Sequence, residues 1–455
     1  MSAKVIIDHI SIEKRKKLID DLNIKTIVVQ KNKKYLSDDI FDVYDIIDDN
    51  IVSIPFAYYY QNLNGYPNQD LVQNYQNMNC EFQLNLFERQ KQIRNDTLSI
   101  LNETRSIVLS LFTGFGKTYY AIYLACKINL KTVIFCHRVI IMDQWEQSIK
   151  KACGDTVKIQ IVTSKCKIDH DADFYIINVV NMTKRDRNDF SHCGLLIADE
   201  LHTLCTEKYS KALTYIFPKY SIGLTATPVR SDGKDRVIEL FMGPNIITKT
   251  LTTLFNVYLI NTGFVPISKT TESGQLNWNS VLESQSISKQ RNELIIDIAR
   301  YFSTRNILIL CKRKDHAKII AEGLKMYNED VDVYMGSTRI VNYNCRILVA
   351  TYSKSGCGFD HPALDMLILA ADAQELFQQY LGRVFRREYH FPIIIDPQDK
   401  FFPLRKHSET RIKIYKETGG EIRNFEKYFP HFSDWRHQVF KTDISQVYKE
   451  LNIEL

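Results

Sequence analysis

From Ser106 onward, short runs of β-branched and aliphatic residues alternate with longer stretches of helical periodicity, and this alternation constrains the fold more than any other feature of the chain. Strands that are apolar on both faces must be covered on both sides, so the pattern predicts parallel sheets wrapped by helices, an α/β fold. A first series of strands is expected at Ser106 to Leu111, Thr132 to Cys136, Phe174 to Val179, Leu195 to Ala198 and Ile222 to Thr225. A second follows at Ile307 to Leu310, Val331 to Tyr334, Ile347 to Ala350, Met366 to Leu369 and Pro392 to Ile395. With 455 residues the chain exceeds the ~250–300 at which a single core stops growing, so at least two domains are expected.

The strand series predict one lobe over residues 81–250 and another over 286–400. The stretch 251–285 reads as the linker, because Thr262 to Ser284 is polar and carries Gly263 and Gly274. Residues 1–80 read as a small N-terminal α/β domain, with strands at Lys4 to Ile7 and Lys25 to Val29 around a helix from Glu13 to Asp21. The Tyr-, Asn- and Gln-rich stretch from Tyr58 to Asn68 reads as a loop into the first lobe. Residues 401–455 read as a helical C-terminal extension in which Trp435 and Phe440 serve packing.

A hydrophobic fraction of 45% beside 25% charged residues is ordinary for a water-soluble protein, and no apolar run approaches the ~20 residues of a membrane span. Charge interrupts the first nine residues too early for a secretory signal. The ten cysteines are scattered without a Cys-x-x-Cys pair, and Cys126 and Cys136 fall in apolar segments, so a reducing intracellular location is expected. No second ligand pair follows His202 and Cys205 at a zinc spacing, and the four clustered cysteines of an iron–sulfur centre are missing. The net charge of +6 permits a nucleic-acid partner without requiring one. Lys14 to Lys17 and Lys31 to Lys34 read as solvated faces.

Three separated motifs carry the chemistry. Thr113, Gly114, Phe115, Gly116, Lys117 and Thr118 follow a strand and open a helix, the context in which backbone N–H groups bind phosphate oxygens. Lys117 would reach the β- and γ-phosphates and Thr118 would ligate magnesium. The strict phosphate-loop pattern has glycine where this chain has Leu111, so the loop alone also fits a simple glycine turn. Asp199 ends the apolar strand Gly194 to Ala198, which puts its carboxylate at the sheet edge. There it would hold magnesium while Glu200 accepts a proton from the attacking water and His202 links the site to a neighbouring motif. An acidic pair after a strand also serves as a helix cap. Arg383 and Arg386 lie one helical turn apart and share a face, suited either to a phosphate chain or to surface ion pairs, and Gln379 would point into the same cleft.

Taken in order, these motifs resemble superfamily 2 DNA helicases over roughly residues 84–400. The segment Gly223 to Arg230, Gly-Leu-Thr-Ala-Thr-Pro-Val-Arg, resembles the motif whose threonines, here Thr225 and Thr227, couple hydrolysis to strand movement. Thr351, with Gly356 to Asp360, resembles the motif that touches both backbone and nucleotide, which assigns Gly358 and Asp360 to the nucleotide. Gln90 stands where the family has its adenine-reading glutamine, and Gln144-Trp145 resembles the segment before a strand-contacting helix. Arg230 falls in the coupling motif. Similarity is marked to the xeroderma pigmentosum group B branch, which has an acidic residue at the place of Ser231, and to poxvirus-type transcript-release helicases.

The resemblance implies two tandem RecA-like lobes with ATP and Mg²⁺ as cofactors. It implies DNA as partner through its backbone, 3′ to 5′ movement, and a role in viral transcription or DNA metabolism beside the transcription machinery. An RNA helicase, or a duplex translocase that releases transcripts without separating strands, is the alternative. A non-enzymatic protein locked by ATP is a third reading, and the joint presence of Lys117, Asp199, Glu200, Arg383 and Arg386 weighs against it.

Overall fold

The computed structural model describes all residues except 31–32, 64–73, 227–234, 251–253, 337, 339–341, 343, 356–360, 362, 374–376, 386–390, 439–441 and 454–455, and it describes 26–39 and 378–379 by backbone alone. The chain forms two compact units, Met1–Leu111 with Phe115–Lys249 and Phe112–Gly114 with Thr250–Leu455. Each contains a seven-stranded sheet.

In the first unit the strand order is Ile246–Lys249, Ser106–Leu111, Tyr220–Thr225, Leu195–Ala198, Thr132–Cys136, Phe174–Asn178 and Ile159–Val162. Every pairing is parallel. The central strands are buried along their whole length, as their apolar sequences demand. All five expected strands are present to within two residues at either end. Ile159–Val162 and Ile246–Lys249 lie at the two sheet edges and are only partly buried, which leaves them without a continuous apolar run to announce them.

Residues 1–80 share this unit's apolar core. Met1, Val52, Ile54 and Tyr58 belong to one buried cluster with Val108, Val133 and Phe241. Ser53 Oγ donates to the Thr214 carbonyl at 2.7 Å and Tyr75 Oη to that of Phe217 at 2.9 Å. The segment holds a three-stranded antiparallel sheet of Ser2–Ile6, Ile51–Pro55 and Asp45–Ile46, the helix Ile12–Leu22, and a hairpin of Asn23–Gln30 with Lys33–Asp42. Phe56–Asn62 is a helix, which corrects the loop reading of Tyr58 to Asn62; its buried face is Phe56, Ala57 and Tyr58.

The second unit's order is Val331–Tyr334, Ile347–Thr351, Ile307–Cys311, Met366–Leu369, Ile393–Gln398, Phe255–Asn261 and Gly420–Asn424, again all parallel. Phe255–Asn261 falls inside the stretch expected to be linker, yet it pairs on both sides within the sheet. Phe255, Val257, Tyr258 and Ile260 are buried, and the polar sequence that follows Asn261 is what makes the stretch read as linker. The helix Trp278–Ile287 occupies the end of the same stretch.

The extension after residue 400 is mostly helical and integral to this unit. Gly420–Asn424 adds the last strand, and Phe425, Phe432, Ile444, Val447 and Tyr448 join the sheet's buried cluster. Trp435 packs there with its ring centroid 5.3 Å from Tyr301, as a packing role requires; Phe440 is outside the described residues. Arg411 fixes the helix Phe402–Glu417 by donating from Nε and Nη2 to the two oxygens of Asp396 at 2.9 and 2.8 Å and from Nη1 to Asp372 at 2.8 Å. Tyr415 Oη donates to the same Asp396 at 3.0 Å. Because both charges are buried and their lone pairs satisfied, removing one partner would cost on the order of 3–5 kcal/mol.

Candidate active site

The strand Ser106–Leu111 feeds a tight loop that opens the helix Lys117–Ile128. Gly114 and Gly116 have φ of +96° and +89°, a left-handed backbone that glycine adopts without cost. Gly116 is further constrained because a Cβ there would lie 2.7 Å from Gln90 Nε2. Lys117 Nζ donates to the Leu111 carbonyl at 2.8 Å, so it turns back over the loop to the position where the strict motif has glycine. Thr113, Gly114 and Thr118 are half-buried, while the Phe115 ring is 1% exposed and packs edge-on against Tyr120. Phe115 can therefore offer a ligand only its backbone.

Gln90, assigned to adenine by the resemblance, contacts the phosphate loop. It is 1% exposed, its Nε2 donates to the Phe115 and Gly116 carbonyls at 3.3 and 3.1 Å, and its Oε1 accepts from the Phe87 N–H at 2.9 Å. Its polar atoms are engaged in bracing the phosphate loop against the start of the helix Glu88–Thr104. Arg89 Nε reinforces that brace, donating to the Phe115 carbonyl at 3.2 Å.

Asp199 and Glu200 leave the end of the strand Leu195–Ala198. Glu200 takes a left-handed backbone, φ 49° and ψ 53°, unusual for a side chain with a Cβ and of the kind that costs ~1–3 kcal/mol. Asp199 Oδ1 accepts the Glu200 N–H at 3.0 Å, and Asp199 Oδ2 accepts Trp145 Nε1–H at 2.8 Å. Trp145 lies within the helix Val139–Cys153 and is 1% exposed, so its indole N–H faces the acidic pair from the core. Burial and the adjacent Glu200 charge push the Asp199 carboxyl up to about 6, against the Trp145 hydrogen bond and Lys117. Glu200 Oε2 is buried with no hydrogen-bond partner among the described residues. Two crowded carboxylates, one with an orphaned oxygen, form a site suited to a cation.

His202 Nδ1 stands 2.9 Å from Thr225 Oγ1 and 3.5 Å from Glu200 Oε2, the latter an ion-pair distance rather than a hydrogen bond. This joins the acidic motif to the end of the strand Tyr220–Thr225. The approach is close: a Cβ on Gly223 would lie 2.5 Å from Leu201 Cδ2. His137, just past the strand Thr132–Cys136, is pushed down to about 4 by burial and by Arg138 and His202. Nothing in its sequence surroundings marked His137 as a neighbour of this site.

In the second unit, Thr351 ends the strand Ile347–Thr351, is 3% exposed and lies 3.3 Å, oxygen to oxygen, from Ser353. Arg383 follows the helix Phe377–Leu381, its N–H donating to the Tyr380 carbonyl at 3.1 Å, and it is 8% exposed. Thr227, Arg230, Ser231, Gly358, Asp360 and Arg386 lie outside the described residues, as does the side chain of Gln379.

Magnesium and ATP fit the first unit's donors. The Thr118 hydroxyl and the Asp199 carboxylate are hard oxygen ligands of the kind magnesium takes. Glycine-opened backbone and Lys117 at a helix N-terminus suit a phosphate chain. Among the described residues no helix is long and apolar enough to cross a membrane.

Two parallel sheets of this kind, one bearing a phosphate loop and an acidic pair, define the class of RecA-like nucleotide-dependent motors, and comparison with known proteins agrees. A family profile described as "Type III restriction enzyme, res subunit" matches residues 83–230. Protein 161L of Invertebrate iridescent virus 6, a helicase by name, is 35% identical over 76% of this chain and 84% of its own. Protein L396 of Acanthamoeba polyphaga mimivirus, named an ATP-dependent RNA helicase, is 26% identical over 91% of this chain and 85% of its own. The solved structure of S. cerevisiae Dbp5 bound to RNA and ADP BeF3 shares the fold, with a TM-score of 0.53 at 11% identity over 77% of this chain and 96% of that one. The chain belongs to the superfamily 2 helicases.

Proposed function

We propose that this protein is an ATP-dependent DNA helicase or duplex translocase moving 3′ to 5′, with a place in viral transcription or DNA metabolism. The observation that supports the reading is Glu200 Oε2, without a hydrogen bond among the described residues, beside an Asp199 held by Trp145 and within the electrostatic reach of Lys117. Thr118 and Asp199 would hold Mg²⁺, which when bound neutralises phosphate charge. Lys117 stabilises the anionic phosphate chain, and the Glu200 carboxylate takes the proton of the attacking water. His202 carries the state of Glu200 to Thr225 and so to the coupling motif, in which Thr227 and Arg230 are assigned by resemblance. By the resemblance, Arg383 and Arg386 are the proposed arginine pair for the γ-phosphate, and Gln379, Gly358 and Asp360 are assigned to the same reaction; an arginine finger is worth ~10³–10⁵ in rate. Grip on the strand, with Thr351 as one contact, would come chiefly from backbone phosphates, so binding is expected to weaken with salt and to show little sequence preference.

RNA is the second reading, favoured by the name of the mimivirus relative. Unwinding of otherwise identical DNA and RNA duplexes with 3′ or 5′ overhangs separates the two. The proposal expects DNA with a 3′ overhang to be the preferred substrate. Preference for RNA or for a 5′ overhang overturns it.

A further inference from the structure

Far from the catalytic pair in sequence, Cys80, Cys126 and Cys153 converge within the first unit. Cys126 Sγ lies 3.9 Å from Cys80 Sγ and 3.7 Å from Cys153 Sγ, and the three sulfurs are all within 4.8 Å of one another. A zinc ion with tetrahedral thiolate arms of about 2.3 Å needs sulfur-to-sulfur edges of about 3.8 Å. The two measured edges match that value. They are far beyond the ~2.05 Å of a disulfide, and three thiols cannot pair without leaving one over. We propose that these three thiolates form a zinc site, with a solvent molecule as fourth ligand.

The surroundings support a built site. Cys153 is 2% exposed, while Cys80 and Cys126 are half-buried, so the triangle has a closed side and an open one. Neighbouring Asp173 is not the missing ligand, since its two oxygens already accept the N–H groups of Asn79 and Lys158 at 2.8 and 3.1 Å. Zinc favours soft thiolates, and an open fourth position falls to water. Binding would displace three thiol protons for one Zn²⁺, leaving a Zn(S-Cys)₃ unit of charge −1 and an affinity that falls as pH falls.

The site has a structural task visible in the fold. Cys126 is near the end of the helix Lys117–Ile128, which begins at the phosphate loop, and Cys153 ends the helix Val139–Cys153, which carries Trp145. Cys80 is on a non-helical strap laid across both helix ends. The strap's Met78 N–H donates to Asn129 O at 3.4 Å, Gln83 N–H to Ala152 O at 2.7 Å, and Gln83 Nε2 to Cys153 O at 3.0 Å. That strap runs directly into the helix bearing Gln90. One ion would therefore fasten together the three segments that place Gln90, Lys117 and Trp145.

The test is metal content. Full-length protein expressed with zinc and passed over a chelating resin should retain about one zinc per chain by mass spectrometry, and cobalt replacement should give the thiolate-to-metal charge-transfer band of a tetrahedral site. Cys80→Ser and Cys126→Ser should each lose the metal, while Cys166→Ser, outside the cluster, should keep it. Wild-type protein without zinc whose three thiols all react with a thiol reagent overturns the proposal. So does a Cys126–Cys153 disulfide in freshly purified protein. These readouts do not depend on ATP turnover and stand apart from the motor assignment.

Discussion

Trp145 Nε1 donates to Asp199 Oδ2 at 2.8 Å, so a core tryptophan holds one half of the acidic pair. A hydrogen bond to a charged group is worth ~1.5–3 kcal/mol. Trp145→Phe keeps most of the packing and removes the donor. Without that donor the Asp199 carboxylate is less well held and less favoured in its charged form. We expect kcat near neutrality to fall roughly 10-fold or more, since each ~1.4 kcal/mol is a factor of ten. A kcat profile unchanged between pH 5 and 9 would show that the bond is structural only.

Gln90 braces the phosphate loop through the Phe115 and Gly116 carbonyls. Gln90→Ala should weaken ATP and GTP binding by a similar factor, measured by calorimetry, because the loop and not the base loses its support. Loss confined to ATP would instead support the adenine-reading role. Gly116→Ala should abolish binding of both, since its Cβ would meet Gln90 Nε2 at 2.7 Å and its φ is +89°.

His316 is buried in the second unit, 2.9 Å from Asn292 Oδ1, and burial with Arg291 and Arg313 nearby pushes it down to about 3. Its folded value lies below the unfolded one near 6.5, so the unfolded chain binds the extra proton first. The stabilisation is complete above pH ~6.5 and is lost as pH falls toward 3, with a limiting slope of about 1.4 kcal/mol per pH unit. Denaturant titrations of His316→Gln should show a shallower loss between pH 6.5 and 4 than wild type. Parallel curves would assign acid lability to other groups.

The tail after residue 400 contributes Arg411, Tyr415 and Tyr448 to the second unit's interior. Arg411→Met leaves Asp396 and Asp372 buried without their guanidinium, and a loss of about 3–5 kcal/mol in unfolding free energy is expected. Deleting 401–455 should leave the second unit unable to fold cooperatively, seen as loss of its calorimetric transition. A truncated protein with an unchanged transition would make the tail an appendage.

The sequence made the central strands of both sheets legible because strands buried on both faces are written as unbroken apolar runs, Ile307–Cys311 being one. Gly420–Asn424 and Lys33–Asp42 escaped notice because polar residues interrupt them and pairing, not composition, makes them strands, while Phe255–Asn261, with its apolar run from Val257 to Ile260, lies inside a stretch whose polar remainder reads as linker. Lys117, Asp199, Glu200 and His202 were readable because each follows a recognisable strand end. The task of Trp145 was not, since it depends on a helix packing over a strand 54 residues away. The cysteine cluster was hidden for the same reason: its members are 46 and 27 residues apart and meet only when two helices and a strap come together.

The Lys117 loop and the Asp199–Glu200 pair are proposed to hydrolyse ATP in response to a nucleic-acid strand. The direct measurement is steady-state ATP hydrolysis with no polymer, single-stranded DNA, duplex DNA and RNA, beside Glu200→Gln. Stimulation by DNA that vanishes in Glu200→Gln is the predicted result. Hydrolysis unaffected by every polymer, or stimulated equally in the variant, would contradict it.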